Sequence, residues 1–548
     1  MTHAARALVP LLLCASIAHA DTYPRQPGID IEHYTFRLTL GDDTDEIAGE
    51  TTVLVAFLRD DVRAIKLDLV SAAGRTDGRG MTVSDVSTGE TPLRYTHEHD
   101  RLAIVLDASP RARERRPITI RYRGVPATGL VIGRNRHGDR GFFSDNWPDK
   151  ARHWLPALDH PSDKATSEFI VTAPAHYQVV ANGVIVEETD LPGGRRRTHW
   201  RQSKPIATWL NVLGAARFAV QHAGTVDGVP IQTWVFPQDR DAGFHDFAGP
   251  TRSAFEFFSA RIGPYPYEKL ANVQSNSVSG GMESATAIFY DDDAVTGTRS
   301  VRWRNVIVHE IAHQWWGNAV TETDWDHVWL SEGFATYFTL LFIEHAYGRD
   351  AFVAGLRESR DFVRRFDAAE PDYRIVHDGL ADTSRVLTRQ IYEKGGWTLH
   401  MLRGLVGDEA FWEGIRRYYG AYRDANASTD DFRSVMEEAS GRDLGWFFAQ
   451  WLYRGGYPRL EGEWRYDAGA GVLEIELRQT QPRGEPFRLP IDVAITVAGE
   501  AAPRRERIEL TGRLQRFRIP LEREAAGMVL DPDTWVLMDA TLADRRSR

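Results

Sequence analysis

The 548-residue sequence contains a single cysteine, Cys14, and this residue lies within the first twenty positions. No disulfide can therefore form within the rest of the chain, which excludes the small crosslinked domains that are common among secreted proteins. A chain of this length does not need crosslinks, because it can bury a large hydrophobic core. The hydrophobic and charged fractions, 42% and 26%, also exclude a largely disordered or a fibrous protein.

The sequence also lacks an excess of basic residues. It has 66 Lys and Arg side chains against 77 Asp and Glu side chains, which gives a formal net charge of -11. Proteins that bind nucleic acid usually carry a basic surface, so we expect no nucleic-acid partner. The run Arg195-Arg196-Arg197 follows two glycines, and this context predicts a solvated turn.

No stretch is apolar over the roughly 20 residues that a helix needs to span a bilayer. The apolar run from Ala7 to Ala18 is shorter, and it leads into the small-x-small sequence Ala18-His19-Ala20. Such a pattern predicts that residues 1–20 are a cleaved secretory signal, the alternative being an apolar helix of the folded domain. Export without disulfides indicates a secreted protein of a bacterial periplasm or the cell exterior, with no integral membrane segment after cleavage.

Hydrophobic periodicity divides the remaining chain into three parts. Short segments with strand-like alternation continue to about residue 235, helical spacing follows, and strand patterns return at Leu460. We therefore predict an N-terminal β domain (21–235), a mostly helical domain (236–458) and a C-terminal β-sandwich (459–548). The helical spacing is clearest over 253–262, 304–316, 332–347, 390–405, 409–422 and 429–439.

One short motif carries specific chemistry: His309-Glu310-Ile311-Ala312-His313. Residues four apart on a helix share a face, so both imidazoles can reach one metal ion. The motif is the helical two-histidine zinc site, in which the glutamate beside the first histidine acts as general base. Glu310 is not needed as a ligand, so it can take a proton from water and pass it to a leaving amine.

A third ligand is predicted at Glu332, which follows His313 after 18 intervening residues. A carboxylate there would complete a site of two histidines and one glutamate, with the fourth position open for water. Such a site holds one zinc ion that polarises a carbonyl and lowers the pKa of water. The alternative is an ordinary surface helix with two unrelated histidines.

Three neighbours of the third ligand receive weaker assignments. Ser331 is predicted to be the N-cap of the helix that Glu332 opens. Asp326 either orients a ligand histidine or caps a helix or turn. His327 is expected in packing or at the surface, because a fourth protein ligand would close the site to water.

The chain resembles the zinc aminopeptidase family of aminopeptidase N and leukotriene hydrolase, which are gluzincin metallopeptidases. The stretch from His309 to Asn318 matches the family's zinc motif. Four further segments match in order: Asp159-His160-Pro161 with Lys164-Ala165-Thr166, Gly280-Gly281-Met282-Glu283-Ser284, Tyr392-Glu393-Lys394-Gly395, and Trp451 with Gly456-Tyr457-Pro458. The resemblance covers most of the chain.

This resemblance implies an α+β multidomain fold with a saddle-like N-terminal β-sheet domain, a thermolysin-like catalytic domain and a C-terminal β-sandwich. It also implies removal of single residues from peptides with a free N-terminus. Glu283 would bind the substrate amine within a loop that includes Gly281 and Met282. Tyr392 would donate a hydrogen bond to the oxyanion of the reaction.

Some positions depart from the family's pattern. Ser284 and Ser331 stand where relatives usually have asparagine, which affects the shape of the first subsite more than the chemistry. Relatives also supply a Gln or Glu from a first-domain loop to bind the amine. The corresponding stretch, 145–149, contains neither residue, and Asn146 is only a weak candidate.

The leading hypothesis is therefore a secreted zinc metalloaminopeptidase. A thermolysin-type endopeptidase would use the same zinc, but it has no free amine to place at Glu283. A catalytically weak peptide-binding protein on the same fold is a third possibility, which the retained zinc motif and Tyr392 argue against.

Overall fold

The computed structural model describes residues 21–377 and 379–545, so the predicted signal, residues 1–20, lies outside the described part of the chain. The alternating segments of the N-terminal part form strands, as their period of two requires. These strands are β1 (Ile29–Thr39), β2 (Ile47–Phe57), β3 (Ala64–Asp68), β4 (Gly80–Thr88), β5 (Thr91–Pro92), β6 (Arg94–Glu98), β7 (Arg101–Val105), β8 (Arg115–Val125), β9 (Leu130–Arg134), β10 (Arg140–Ser144), β11 (Lys164–Pro174), β12 (Gln178–Ala181), β13 (Val184–Leu191), β14 (Arg195–Ala207), β15 (Leu213–Ala216), β16 (Ala219–Val226) and β17 (Val229–Val235).

An eight-stranded sheet in the order β13-β14-β11-β1-β2-β8-β4-β5 dominates this domain. Smaller sheets, β12-β15-β10-β9 and β3-β7-β6, accompany it. The predicted turn at 195–197 is wrong, because the three arginines begin β14. Arg196 pairs with Asp190 at 2.7 Å and Arg197 with Glu187 at 2.7 Å, both across to β13. Cross-strand charge pairs of this kind stabilise a strand whose composition alone looks like a loop.

Helices begin after β17, as the change in periodicity predicts. They are α1 (Arg240–Arg261), α2 (Val301–His313), α3 (Trp329–Tyr347), α4 (Arg349–Ala369), α5 (Arg389–Val406), α6 (Asp408–Tyr422), α7 (Thr429–Ser440) and α8 (Gly445–Trp451). Short strands lie among them: β18 (Leu270–Ser275), β19 (Gly281–Met282), β20 (Ala287–Asp291), β21 (Val320–Glu322) and β22 (Ala425–Ala427). β18 is buried along its whole length, and a strand covered on both faces has no alternation for a sequence pattern to reveal.

The C-terminal part forms two sheets, in the orders β27-β24-β23-β29 and β26-β25-β28. Their strands are β23 (Arg459–Asp467), β24 (Val472–Gln479), β25 (Leu489–Val497), β26 (Arg504–Leu510), β27 (Leu514–Pro520), β28 (Ala525–Leu530) and β29 (Asp539–Asp544). The predicted fold class, a β-rich N-terminal domain followed by a mostly helical domain and C-terminal sheets, is confirmed. Within the described residues no helix is both long and apolar enough to cross a membrane.

Close contacts join the N-terminal and helical domains near α2. The ring of Trp147 packs edge-on against Trp209 and Trp325, with centroids 4.6 Å and 4.9 Å away. The ammonium of the half-buried Lys164 donates to the carbonyls of Asn318 and Ala319 at 3.1 Å and 2.9 Å. The N-terminal domain is thereby fixed against the segment that follows α2.

Candidate metal centre and active site

The two histidines of the zinc motif lie one turn apart on α2. His309 Nε2 and His313 Nε2 are 3.1 Å apart, and their rings are nearly perpendicular, at 80°. Residues at positions i and i+4 share a helical face, so this arrangement follows directly from the local sequence. The two nitrogens face a common point at the side of the helix.

Glu332, in the first turn of α3, completes the group. Its Oε2 lies 3.3 Å from His309 Nε2 and 3.2 Å from His313 Nε2. Tetrahedral zinc with ligands at about 2.0–2.1 Å places those ligands about 3.3–3.4 Å from one another. The three observed separations match this spacing, so the residues fit one zinc ion without rearrangement. Two imidazoles and one carboxylate are also a ligand set that leaves the fourth position open.

The second nitrogen of His313 fixes the orientation of this ligand. Nδ1 lies 3.1 Å from the Trp316 carbonyl oxygen and 3.1 Å from Ser331 Oγ. When Nδ1–H donates to that carbonyl, Nε2 keeps its lone pair for a metal. The prediction that Ser331 is an N-cap is wrong, because α3 begins at Trp329 with Val328 in the cap position. The buried hydroxyl of Ser331 instead contacts His313.

Asp326 does not orient a histidine. Its carboxylate accepts hydrogen bonds from the backbone N–H groups of Gly379 and Leu380, both at 2.9 Å. The carboxylate therefore holds the backbone of a remote segment, and neither a helix cap nor a turn cap is seen there within the described part of the chain. His327 Nδ1 lies 2.9 Å from Thr429 Oγ1, which agrees with the expected packing role.

Glu310 lies beside the ligand group and is buried, with 6% of its surface exposed. Its carboxylate faces β19 closely: a Cβ added at Gly281 would lie 2.3 Å from Glu310 Oε1. Burial raises the pKa of Glu310 well above its ordinary value, and the negative charge of Glu283 adds to this effect. A carboxylate in such surroundings readily takes up a proton.

The loop after β19 brings Glu283 to the same place. One ligating atom from each of Glu283, Glu310 and His313 lies within 4.8 Å of the others. Burial raises the pKa of Glu283 to about 7, while the charge on His313 opposes this shift. Among the described residues, Glu283 Oε1 is buried and has no hydrogen-bond partner. Met282, also buried, lines the cleft beside it.

Tyr392 reaches the site from α5. Its ring lies 6.0 Å from the ring of His309, with an angle of 21° between the planes. Helices α3 and α5 approach closely because they meet at glycines: a Cβ on Gly333 would lie 3.0 Å from Gly395 Cα. Burial raises the pKa of Tyr392 well above its ordinary value, and the charge on Glu332 adds to the shift. The phenol therefore stays protonated and can donate a hydrogen bond.

A cleft of about 990 Å³ is lined by the three zinc-ligating side chains and by Glu283, Glu310 and Tyr392. Trp147 of the N-terminal domain lines it, whereas Asn146 does not, so the weak candidacy of Asn146 for amine binding is wrong. The Asn146 amide donates to the Asn211 carbonyl at 2.6 Å and accepts from Trp154 Nε1 at 2.8 Å. Sequence reasoning missed Trp147, because a search for a carboxylate or amide passes over an aromatic residue whose place depends on domain packing.

Comparison with known proteins finds one family along most of the chain. The profile described as "Peptidase M1 N-terminal domain" matches residues 31–210, and the profile described as "Peptidase family M1 domain" matches residues 249–451. Together they span both the β domain and the helical domain that holds the zinc motif.

Individual relatives agree with the profiles. The chain is 28% identical over 370 residues to glutamyl aminopeptidase of Homo sapiens, covering 64% of this chain and 38% of that protein. It is 27% identical over 353 residues to aminopeptidase M1 of Arabidopsis thaliana, covering 62% and 39%. The matched part is thus less than two fifths of the length of either relative.

The crystal structure of an M1 zinc metallopeptidase from Deinococcus radiodurans has a similar fold, with a TM-score of 0.64 and 25% identity. The similarity covers 75% of this chain and 90% of that one. A mutant of the same enzyme matches with a TM-score of 0.66 and 26% identity, and this similarity covers 78% of this chain and 95% of that one. With a site whose three side chains fit zinc and with both domain profiles matched in order, the chain belongs to peptidase family M1.

Proposed function

We propose that the protein is an exported zinc aminopeptidase that removes single residues from the free N-terminus of peptides. The observation that carries this proposal is the buried carboxylate of Glu283, whose Oε1 has no hydrogen-bond partner among the described residues and which lies beside His313 and Glu310. A buried carboxylate is stable when it is paired with a charge of opposite sign. The substrate's ammonium group supplies that charge, and charge-assisted hydrogen bonds of this kind are strong.

The position of Glu283 also sets which bond is cut. Within a substrate residue, the amine nitrogen and the carbonyl carbon are about 2.5 Å apart. Since the ligating atoms of Glu283 and His313 lie within 4.8 Å of each other, an amine held at Glu283 brings the first peptide bond to the metal group. The next peptide bond lies about 3.8 Å further along the chain. This geometry supports cleavage after one residue.

The remaining side chains divide the chemistry of hydrolysis. A zinc ion held by His309, His313 and Glu332 would supply Lewis acidity toward the scissile carbonyl and toward water. Glu310 takes the proton from the attacking water and delivers it to the leaving nitrogen. Tyr392 donates its phenol hydrogen to the oxyanion, where negative charge develops in the transition state.

A panel of aminoacyl chromogenic amides and short peptides, each free and N-acetylated, tests this proposal. We expect hydrolysis of the free compounds and poor hydrolysis of the acetylated ones, because an acetyl group leaves Glu283 buried without its partner charge. Equal hydrolysis of both forms would exclude an aminopeptidase and favour a thermolysin-type endopeptidase. Binding of peptides without turnover by the zinc-loaded protein would favour a peptide-binding function.

Export is the second element of the proposal, and it is supported by the composition of residues 1–20. The carboxylate of Asp21, the first residue after the predicted cleavage site, is buried and lies 2.8 Å from His160 Nε2. Residue 21 is thus an integral part of the folded domain. The intact mass of the protein isolated from a periplasmic or extracellular fraction should correspond to a chain that starts at Asp21. A mass that includes residues 1–20 would contradict export by signal cleavage.

A further inference from the structure

The backbone next to the amine-binding carboxylate is held by two buried amide side chains. The carbonyl oxygen of Glu283 accepts a hydrogen bond from Gln314 Nε2 at 2.8 Å and another from Asn318 Nδ2 at 2.6 Å. Both amides are fully buried. A carbonyl oxygen has two lone pairs, so these two donors saturate it.

The same glutamine also holds the far end of the loop. Gln314 Oε1 accepts from the backbone N–H of Thr286 at 3.1 Å and from the Tyr265 hydroxyl at 3.3 Å. Thr286 has a positive φ of 68°, a conformation that a β-branched residue adopts only when its surroundings impose it. Gln314 thus contacts both ends of the segment from Glu283 to Thr286, which Asn182 and the backbone of Gly183 also hold, through Ala285 and the Thr286 hydroxyl.

Gln314 and Asn318 come from the segment that carries the zinc-binding histidines. Gln314 follows His313 directly, and Asn318 donates its backbone N–H to the His313 carbonyl at 3.2 Å. The zinc-ligating helix and the amine-binding loop are thus tied together by short, buried hydrogen bonds. Because Glu283 Oε1 has no partner among the described residues, the position of this carboxylate depends on its backbone.

We propose that Gln314 and Asn318 are positioning residues that set the distance between the amine-binding carboxylate and the zinc group. In this way they determine how strongly the enzyme prefers a free amine over a blocked one. The inference rests on the proposed aminopeptidase function and adds the groups that give that function its selectivity. Neither side chain is assigned any contact with the substrate.

Two variants and one matched control test the inference. Asn318→Leu removes one donor to the Glu283 carbonyl. Gln314→Met removes the other donor, and with it the acceptor for Thr286 N–H, in a side chain of similar length. The control is Asn272→Leu: Asn272 is also fully buried in the helical domain, donates a single hydrogen bond, to Thr251 Oγ1 at 2.9 Å, and has a buried Oδ1 without a partner, as Asn318 does.

The measured quantity is the ratio of kcat/KM for a free peptide to kcat/KM for its acetylated form, together with zinc content and Tm. We expect each variant to lower this ratio by about tenfold or more, since small displacements of a positioned group have large kinetic effects. The lower ratio should come from a fall in kcat/KM for the free peptide, and zinc content should stay at one ion per chain. The control should lower Tm by a similar amount and leave the ratio unchanged.

The inference is overturned if both variants keep the wild-type ratio, or if Asn272→Leu lowers the ratio as much as they do. Should Asn318→Leu fail to fold, Gln314→Met decides alone, because methionine is close to glutamine in length and volume. The wild-type enzyme is measured first: an absence of preference for the free peptide there rejects the proposed function itself. A wild-type preference that survives in both variants rejects only the positioning role.

Discussion

Replacing Gly281 by alanine should lower the catalytic rate while zinc stays bound. A Cβ at this position would lie 2.3 Å from Glu310 Oε1, 2.4 Å from Cδ and 2.5 Å from Cγ. Carbon atoms in contact normally lie about 3.5 Å or more apart, so the Glu310 carboxylate must move by about 1 Å. It is the end of a flexible side chain, and it can move without disturbing the backbone.

A displacement of about 1 Å in a catalytic group lowers the rate by about 100-fold, which corresponds to about 2.7 kcal/mol in activation free energy. We expect kcat of Gly281→Ala to fall by this amount. Zinc should remain bound, because the three atoms nearest to the new Cβ all belong to Glu310 and none to a zinc ligand. Steady-state kinetics on a free aminoacyl amide, with metal analysis of the same sample, measures both effects.

Gly420→Ala is the matched control, since this glycine lies within α6 and a Cβ there meets nothing within 4 Å. It should raise the free energy of unfolding by up to about 1 kcal/mol, because alanine favours helix more than glycine does, and kcat should not change. A double-mutant cycle then locates the effect. If Gly281→Ala acts by displacing Glu310, it should have little further effect in a Glu310→Gln background. Near-normal turnover in zinc-loaded Gly281→Ala, or full additivity with Glu310→Gln, would refute the reasoning.

Four further predictions follow from the site. Glu310→Gln should keep zinc and lose turnover by about 10³-fold or more, whereas His313→Ala should lose the metal as well; metal analysis distinguishes them, and a Glu310→Gln enzyme with normal turnover would remove the general-base assignment. Tyr392→Phe should lower kcat by about 100-fold and change KM little, because the phenol acts on the transition state; a rise in KM alone would make Tyr392 a binding residue. Glu283→Ala should reduce transition-state stabilisation for free peptides, measured through kcat/KM, by about 3 kcal/mol. The ratio of kcat/KM for free peptides to kcat/KM for acetylated peptides should fall with it; an unchanged ratio would contradict amine binding. Chelation of the metal should abolish activity and lower Tm, since a ligand that binds only the folded state stabilises it; zinc should restore both, and a chelator-resistant activity would exclude the proposed centre.

The sequence by itself determined the parts of this protein that depend on local geometry. His309 and His313 share a helical face because they are four residues apart, whatever surrounds the helix. Alternating and helical periodicities likewise predicted the order of β, helical and β parts. Burial on one face imposes a period on each element, and this is why the order could be predicted.

Tertiary structure decided the features that depend on contacts between elements far apart in sequence. β18 was missed because it is buried on both faces, and the arginines at 195–197 form a strand because acidic residues of β13 lie opposite. Ser331 contacts a ligand histidine in place of capping its helix, and Asp326 holds the distant backbone of Gly379 and Leu380. These roles depend on partners that are remote in sequence, and no local pattern encodes them.

The active site shows the same division. The residue types at positions 283, 310 and 392 could be matched to a family from the sequence, but their convergence depends on the packing of separate elements. The glycine contact between α3 and α5 brings Tyr392 to the zinc group, and the hydrogen bonds of Gln314 and Asn318 fix the loop that carries Glu283. The sequence therefore specified the zinc ligands through helical spacing and the metal's preference for imidazole and carboxylate. Only the folded chain could show how the backbone of Glu283 is held beside them, because the hydrogen bonds from Gln314 and Asn318 join segments far apart in sequence.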